Sequence, residues 1–156
     1  MIKKIKQLLL KKKNKIKIVS LTAYSKNFAK ILDKYVDIIL VGDSMANVLY
    51  GMNNTHSLSL NNIIEHSISV KKGVKKALMV VDMPKGTYKN LIQAKKNANL
   101  ILKKTKCDAV KIESNKKNYE IIRELVRANI PVMGHIGYTP QFKKKFRVEG
   151  KKSNEF

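Results

Sequence analysis

The sequence predicts an α/β fold of the (β/α) kind, with a parallel sheet, and three observations lead there. Short β-branched runs recur along the 156 residues. Helical stretches separate them, and parallel neighbours need crossovers of roughly a dozen residues or more. The strand-like runs are near-continuously apolar rather than alternating, as strands covered on both faces are.

Taken in order, Met1 to Lys15 is a lysine-rich lead expected to be a short helix, ahead of a domain spanning residues 16–156. The first strand is expected over Ile16–Leu21. The first crossover helix is expected over Ser25–Tyr35, with Ser25 at the N-cap and Phe28, Ala29, Ile31 and Leu32 at helical spacing. Further strands are expected over Asp37–Val41, Ala77–Val81, Ala109–Ile112 and Ile130–Met133. The helices between them are expected over Leu60–Lys72 (with Ile63, Ile64, Ile68 and Val70 apolar), Asn90–Lys104 and Tyr119–Asn129. From Gln141 to Phe156 the chain is polar and basic with no sixth apolar run, and residues 151–156 read as a frayed end.

Hydrophobic residues make up 44% and charged residues 28%, a globular balance rather than a disordered one. The single cysteine, Cys107, excludes an internal disulfide and fits a reducing compartment; it is expected to be a buried small apolar residue. No apolar run approaches the length of about 18 residues that a membrane span requires. The apolar part of the lead is too short for a signal sequence, so a cytoplasmic location is expected. The net charge of +22 comes almost wholly from lysine, 30 of them against Arg123, Arg127 and Arg147. Nucleic-acid recognition relies on arginine's bidentate fork and on aromatic stacking, so the excess reads as a solvated surface and no nucleic-acid partner is expected.

The chemistry gathers at strand ends. Asp43 follows Ile38-Ile39-Leu40-Val41-Gly42, Asp82 follows Leu78-Met79-Val80-Val81, and Glu113 follows Val110-Lys111-Ile112. Ligands of parallel sheets bind outside the carboxyl ends of the strands. Three carboxylates converging there would repel one another unless a cation sat among them, and oxygen donors suit a hard ion such as Mg²⁺. The alternative is that each acid caps the helix after its strand. Lys111 lies two residues before Glu113, on the same strand face, where it could hold a substrate carboxylate or reach out to solvent. His135, between Gly134 and Gly137, could donate to a substrate oxygen or be structural. Ser44 could bring its hydroxyl to the same ligand or cap a helix. His56 and His66 read as loop and helix-surface residues.

With these residues in place, the chain resembles the 3-methyl-2-oxobutanoate (ketopantoate) hydroxymethyltransferase family. The matching segments are Leu21-Thr22-Ala23-Tyr24, Ile39-Leu40-Val41-Gly42-Asp43-Ser44, Val80-Val81-Asp82-Met83-Pro84, Asp108-Ala109-Val110-Lys111-Ile112-Glu113, and Pro131 through Gln141. They occur in family order and at family spacing from about residue 16 to residue 150. The resemblance implies a (β/α)₈ TIM-barrel type fold, here truncated after five βα units, since a complete barrel takes about 250 residues. It implies transfer of a hydroxymethyl group from 5,10-methylenetetrahydrofolate to 3-methyl-2-oxobutanoate, giving 2-dehydropantoate, with Mg²⁺ stabilising an enolate. It implies Asp43, Asp82 and Glu113 as metal positions, and Asp43, Ser44, Asp82, Lys111 and His135 as substrate contacts. A homo-oligomer is implied where the whole barrel is made. The family's general base is a glutamate on the sixth strand; neither Glu149 nor Glu155 has its context, so no base is assigned. Lys85 stands where many members carry an apolar aromatic, and Ser114-Asn115 replaces a glycine pair. The rival readings are another Mg²⁺-dependent enolate-forming aldolase or lyase, a basic binding module, and a catalytically inactive partner of an intact subunit.

Overall fold

The structure, a computed structural model, describes residues 2–116 and 118–142 of the chain. The expectations for residues 143–156, including Glu149 and Glu155, lie outside the described residues. Within them, five strands form one sheet: β1 Ser20–Thr22, β2 Ile38–Val41, β3 Leu78–Asp82, β4 Ala109–Glu113 and β5 Val132–His135. Their spatial order is the sequence order, and every neighbouring pair is parallel. That arrangement is the strand succession of a (β/α) barrel wall.

The helices are α1 Ile2–Lys13, α2 Lys26–Leu32, α3 Met45–Val48, α4 Leu60–Lys71, α5 Leu91–Thr105 and α6 Tyr119–Arg127, with a 3₁₀ turn at Thr55–Ser57. Ser59 and Asn90 cap α4 and α5 by accepting from the amides of Asn62 and Gln93. None of the described helices is long and apolar enough to cross a membrane.

Two apolar clusters lie on opposite faces of the sheet because strand side chains alternate. Ile39, Val41, Met79, Val81, Val110 and Ile112 face the cluster that holds Ile63, Ala98, Ile101 and Leu125 of the crossover helices. The opposite face carries Ile38, Leu78, Val80 and Ala109, against which Ile5 and Leu8 of α1 pack. The lead helix therefore covers the amino-terminal end of the sheet's concave side. Lys4 Nζ donates to the Ala77 carbonyl at 2.7 Å, and Lys11 Nζ meets Asp37 Oδ1 at 2.5 Å.

Three departures from expectation have physical causes. The first strand begins four residues later than Ile16, since its ladder starts where Ser20 pairs with Ile38. Upstream, the Val19 amide is taken by the Asp37 carboxylate at 3.0 Å, and Ile16 and Ile18 stay exposed. In α2, Ser25 holds the N-cap position but its side chain makes no capping hydrogen bond; the Lys26 amide donates to Ser69 Oγ instead. Of α2's apolar residues only Ala29 is buried, while Phe28 and Ile31 remain 67% and 61% exposed. This short helix touches its neighbour through small residues rather than through a broad apolar stripe. Cys107 is buried as expected, and burial pushes its thiol up to about 11.

At this end of the sheet carboxylates act as backbone acceptors. Asp33 accepts from the amides of Lys75, Lys76 and Ala77 at 2.8–3.0 Å, pinning the turn that leads into β3. Burial alone would raise its pKa, but these donors and Lys4 outweigh it and hold the carboxyl below its ordinary value. Asp33→Ala is expected to cost about 2 kcal/mol, because only the Ala77 amide is left without access to water. A folded-state pKa below the unfolded one gives stability that is present above the unfolded pKa and is lost as pH falls through the folded one. The gap between wild type and variant in urea unfolding should therefore hold at pH 7 and narrow below about pH 4. A gap unchanged at acid pH would contradict the ionised acceptor.

Candidate functional site

The carboxyl ends of β2 to β5 carry the polar face. Strand alternation places Asp82, Lys111, Glu113 and His135 on the same side as Val80 and Ala109, so the concave face is apolar below and charged above. The register sets Asp82 beside Lys111 and Glu113 beside His135. Asp43 follows β2, in the turn that enters α3.

Burial makes these contacts consequential. Asp43, Asp82 and Glu113 are 6%, 4% and 3% exposed. Lys111 Nζ donates to Asp82 Oδ1 at 2.6 Å, and the Asp43 main-chain N–H donates to Asp82 Oδ2 at 3.0 Å. A Cβ at Gly42 would fall 2.9 Å from Ser44 Oγ, so a side chain there would push the Ser44 hydroxyl aside, while Asp82 Oδ2 at 3.4 Å would be in ordinary contact. Gln141 Nε2 donates to Asp43 Oδ2 at 2.8 Å, and the Gln141 amide donates to Glu113 Oε2 at 3.0 Å. The site carboxylates thus act on side chains and loops across the face, while Ser59 and Asn90 cap the helices α4 and α5. Ser44 does not cap α3 with its hydroxyl; its Oγ shares a hydrogen bond with Tyr24 OH at 2.8 Å.

The electrostatics are strained. Desolvation first and the neighbouring Asp82 second raise the pKa of Asp43. Burial likewise pushes Glu113 up to about 7, with the Asp43 charge adding to it and the Gln141 amide and Lys111 opposing it. His135 is held below its ordinary value by burial and by the Lys111 charge. Its Nδ1 is buried without a hydrogen-bond partner, 3.9 Å from Glu113 Oε1 and so beyond hydrogen-bonding reach.

These observations test whether a cation fits. Buried acids that oppose one another's ionisation, with Lys111 the one lysine paired to them among the described residues, form an arrangement that a divalent cation relieves. The donors are carboxylate oxygens, which suits a hard ion. Among the described residues no group of three His, Cys, Asp or Glu side chains is disposed to hold a metal ion by itself. Mg²⁺ commonly takes only one or two protein carboxylates and completes its shell with water and substrate, so the pair Asp43 and Asp82 fits it, with Glu113 adjacent.

Several participants are not among the site residues expected from the sequence. Gln141 ends the His135 motif but has neither acid nor base chemistry. Tyr88, whose OH donates to Gln141 Oε1 at 2.5 Å, sits on the loop after β3. His56 is not a free loop residue: its Nε2 is 3.0 Å from the Pro140 carbonyl and its Nδ1 is 3.1 Å from Lys85 Nζ. His66, on α4, meets the Tyr24 carbonyl and Tyr50 OH. Lys85 is exposed and directed to His56, and Asn115 forms part of a turn closed by Asn118 Oδ1.

Comparison with known proteins gives this rim a setting. A family model described as ketopantoate hydroxymethyltransferase matches residues 3–156. The 3-methyl-2-oxobutanoate hydroxymethyltransferase of Pelagibacter ubique (strain HTCC1062) is 54% identical over 146 residues, covering 94% of this chain and 57% of that protein. The enzyme of the same name from Parvibaculum lavamentivorans is 46% identical over 141 residues, covering 85% of this chain and 52% of that protein. The chain thus spans about half the length of the curated relatives it matches. Among solved structures, 2,3-dimethylmalate lyase, a member of the PEP mutase/isocitrate lyase superfamily, aligns with a TM-score of 0.60 at 12% identity, covering 84% of this chain and 52% of that one. Phosphonopyruvate hydrolase aligns at 0.55 and 13% identity, covering 65% and 35%. At such identities the likeness concerns the fold. The sequence match and the strand-end residues agree, and the chain belongs to the ketopantoate hydroxymethyltransferase family.

Proposed function

We propose that this chain carries the 2-oxo acid and metal part of a 3-methyl-2-oxobutanoate hydroxymethyltransferase site, which acts in the synthesis of pantothenate. The observation that carries the reading is the buried Lys111–Asp82 ion pair, at 2.6 Å, set among Asp43, Glu113 and His135 at the strand ends of a family member. Asp43 and Asp82, with Glu113 beside them, would hold Mg²⁺. Bound there, the ion supplies Lewis-acid stabilisation of the negative charge that develops on the oxo acid's oxygens.

The chain's own residues do the rest of the binding. Lys111 is held by Asp82 and offers an ammonium to the substrate carboxylate. Ser44, oriented by Tyr24, offers a hydroxyl to the same ligand. His135 is kept neutral by burial and Lys111, so its free Nδ1 can serve a substrate oxygen rather than add positive charge. Proton removal is assigned to no described residue. The one-carbon donor implied by the family likeness is 5,10-methylenetetrahydrofolate. Among the described residues, Arg123 and Arg127 pair with Glu120 and Glu124 along α6.

A calorimetric titration of 3-methyl-2-oxobutanoate into the full chain, with and without Mg²⁺, tests the reading. Binding is expected only with the ion present. Binding that is indifferent to Mg²⁺, or no binding in either condition, would sink it. A lyase or aldolase reading predicts instead that the family's oxo acid is ignored while a longer dicarboxylate binds.

A further inference from the structure

Four groups of the site converge on Gln141, which is 2% exposed. Its Nε2 donates to Asp43 Oδ2 at 2.8 Å and to the Met83 carbonyl at 3.1 Å. Its Oε1 accepts from Tyr88 OH at 2.5 Å, and its main-chain N–H donates to Glu113 Oε2 at 3.0 Å. A main-chain carbonyl can only accept, so Met83 fixes which end of the amide carries the N–H groups. Tyr88, on the other end, has a hydroxyl hydrogen to give. The amide therefore has one orientation, and in it a donor faces Asp43. The preceding residue is anchored as well, with the Pro140 carbonyl 3.0 Å from His56 Nε2.

We propose that Gln141, oriented by Tyr88, is the positioning residue of the cation site: it occupies one oxygen of Asp43 and one of Glu113 and so keeps the other oxygen of each for the ion. Carboxylates held this way give up less freedom when they bind, and partners behind metal ligands commonly set affinity by 10–100-fold. The geometry suits a positioning role rather than a ligating one. Both polar ends of the amide are already engaged, and the side chain bridges loops that follow β5 and β3 to the turn after β2.

The inference rests on the metal-dependent function proposed above, and the test separates the two. Mg²⁺ is titrated calorimetrically into the wild-type chain, Gln141→Met and Tyr88→Phe, and each is melted without metal. Methionine keeps the length and the main-chain N–H to Glu113 but deletes the amide. Gln141→Met is expected to weaken Mg²⁺ binding about tenfold or more. Tyr88→Phe keeps the amide but releases its orientation, and should weaken binding in the same direction by less. A purely structural role would lower the melting temperature and leave Mg²⁺ affinity unchanged, and that result overturns the inference while the proposed function stands. Should Gln141→Met fail to fold, unchanged affinity in Tyr88→Phe overturns it equally. A wild-type chain that binds no Mg²⁺ overturns both.

Discussion

Lys111→Met is expected to abolish 2-oxo acid binding and to destabilise the folded chain by about 3–5 kcal/mol. Asp82 has a side chain only 5% exposed, and among the described residues its one ion-pair partner is Lys111, at 2.6 Å. Deleting that cation leaves an uncompensated buried carboxylate beside Asp43, whose own ionisation is already opposed by Asp82. Urea unfolding of the metal-free chain reads the stability, and the oxo acid titration reads the function. The double variant Lys111→Met with Asp82→Asn removes both charges, and buried pairs replaced together are often close to neutral. It should regain much of the lost stability and none of the binding. A single variant within about 1 kcal/mol of wild type would mean that water or a second cation already serves Asp82.

The second large effect lies far from the site. Gly73→Ala is expected to cost about 3 kcal/mol, because its Cβ would stand 2.3 Å from the Lys26 carbonyl oxygen and 2.8 Å from the Lys30 nitrogen. Both are main-chain atoms of α2, so no side chain can turn aside and the helix itself must move. The same Cβ would press on Ala29 at 3.0 Å, the one fully buried residue of α2. Gly134→Ala is the control: nothing lies within 4 Å of its added carbon, and a change within about 0.5 kcal/mol is expected. Equal losses at the two glycines in thermal melts would show that packing between α2 and the end of α4 does not decide the outcome.

These two positions also show what could be read in advance. The strands β2 to β5 and the helices α4 to α6 lie within a few residues of their expected places, since apolar runs and helical spacing are local signals. The first strand starts later than its apolar run because the Ile16 amide turns back to the Lys11 carbonyl and the Val19 amide goes to the Asp37 carboxylate, so the regular ladder begins only at Ser20. The short α3 and the 3₁₀ turn at Thr55–Ser57 were invisible, being too brief to show a period. Gly73 sits between Lys72 and Val74 with nothing in the sequence to mark it; only the crossing of α2 makes its missing side chain necessary.

By itself the sequence determined the strand-and-helix rhythm, the family, and which residues share the concave face. Asp82 ends β3, and Lys111 and Glu113 are two apart on β4, so the two-residue period of a strand commits their direction before any neighbour is known. The tertiary structure decided how those residues are used. It paired Lys111 with Asp82 rather than with Glu113, left His135 Nδ1 without a hydrogen bond, and brought Gln141 across 98 residues of chain to Asp43. The physical reason is that direction follows from local backbone geometry, whereas partner choice follows from register and burial, which exist only once distant strands and loops have come together.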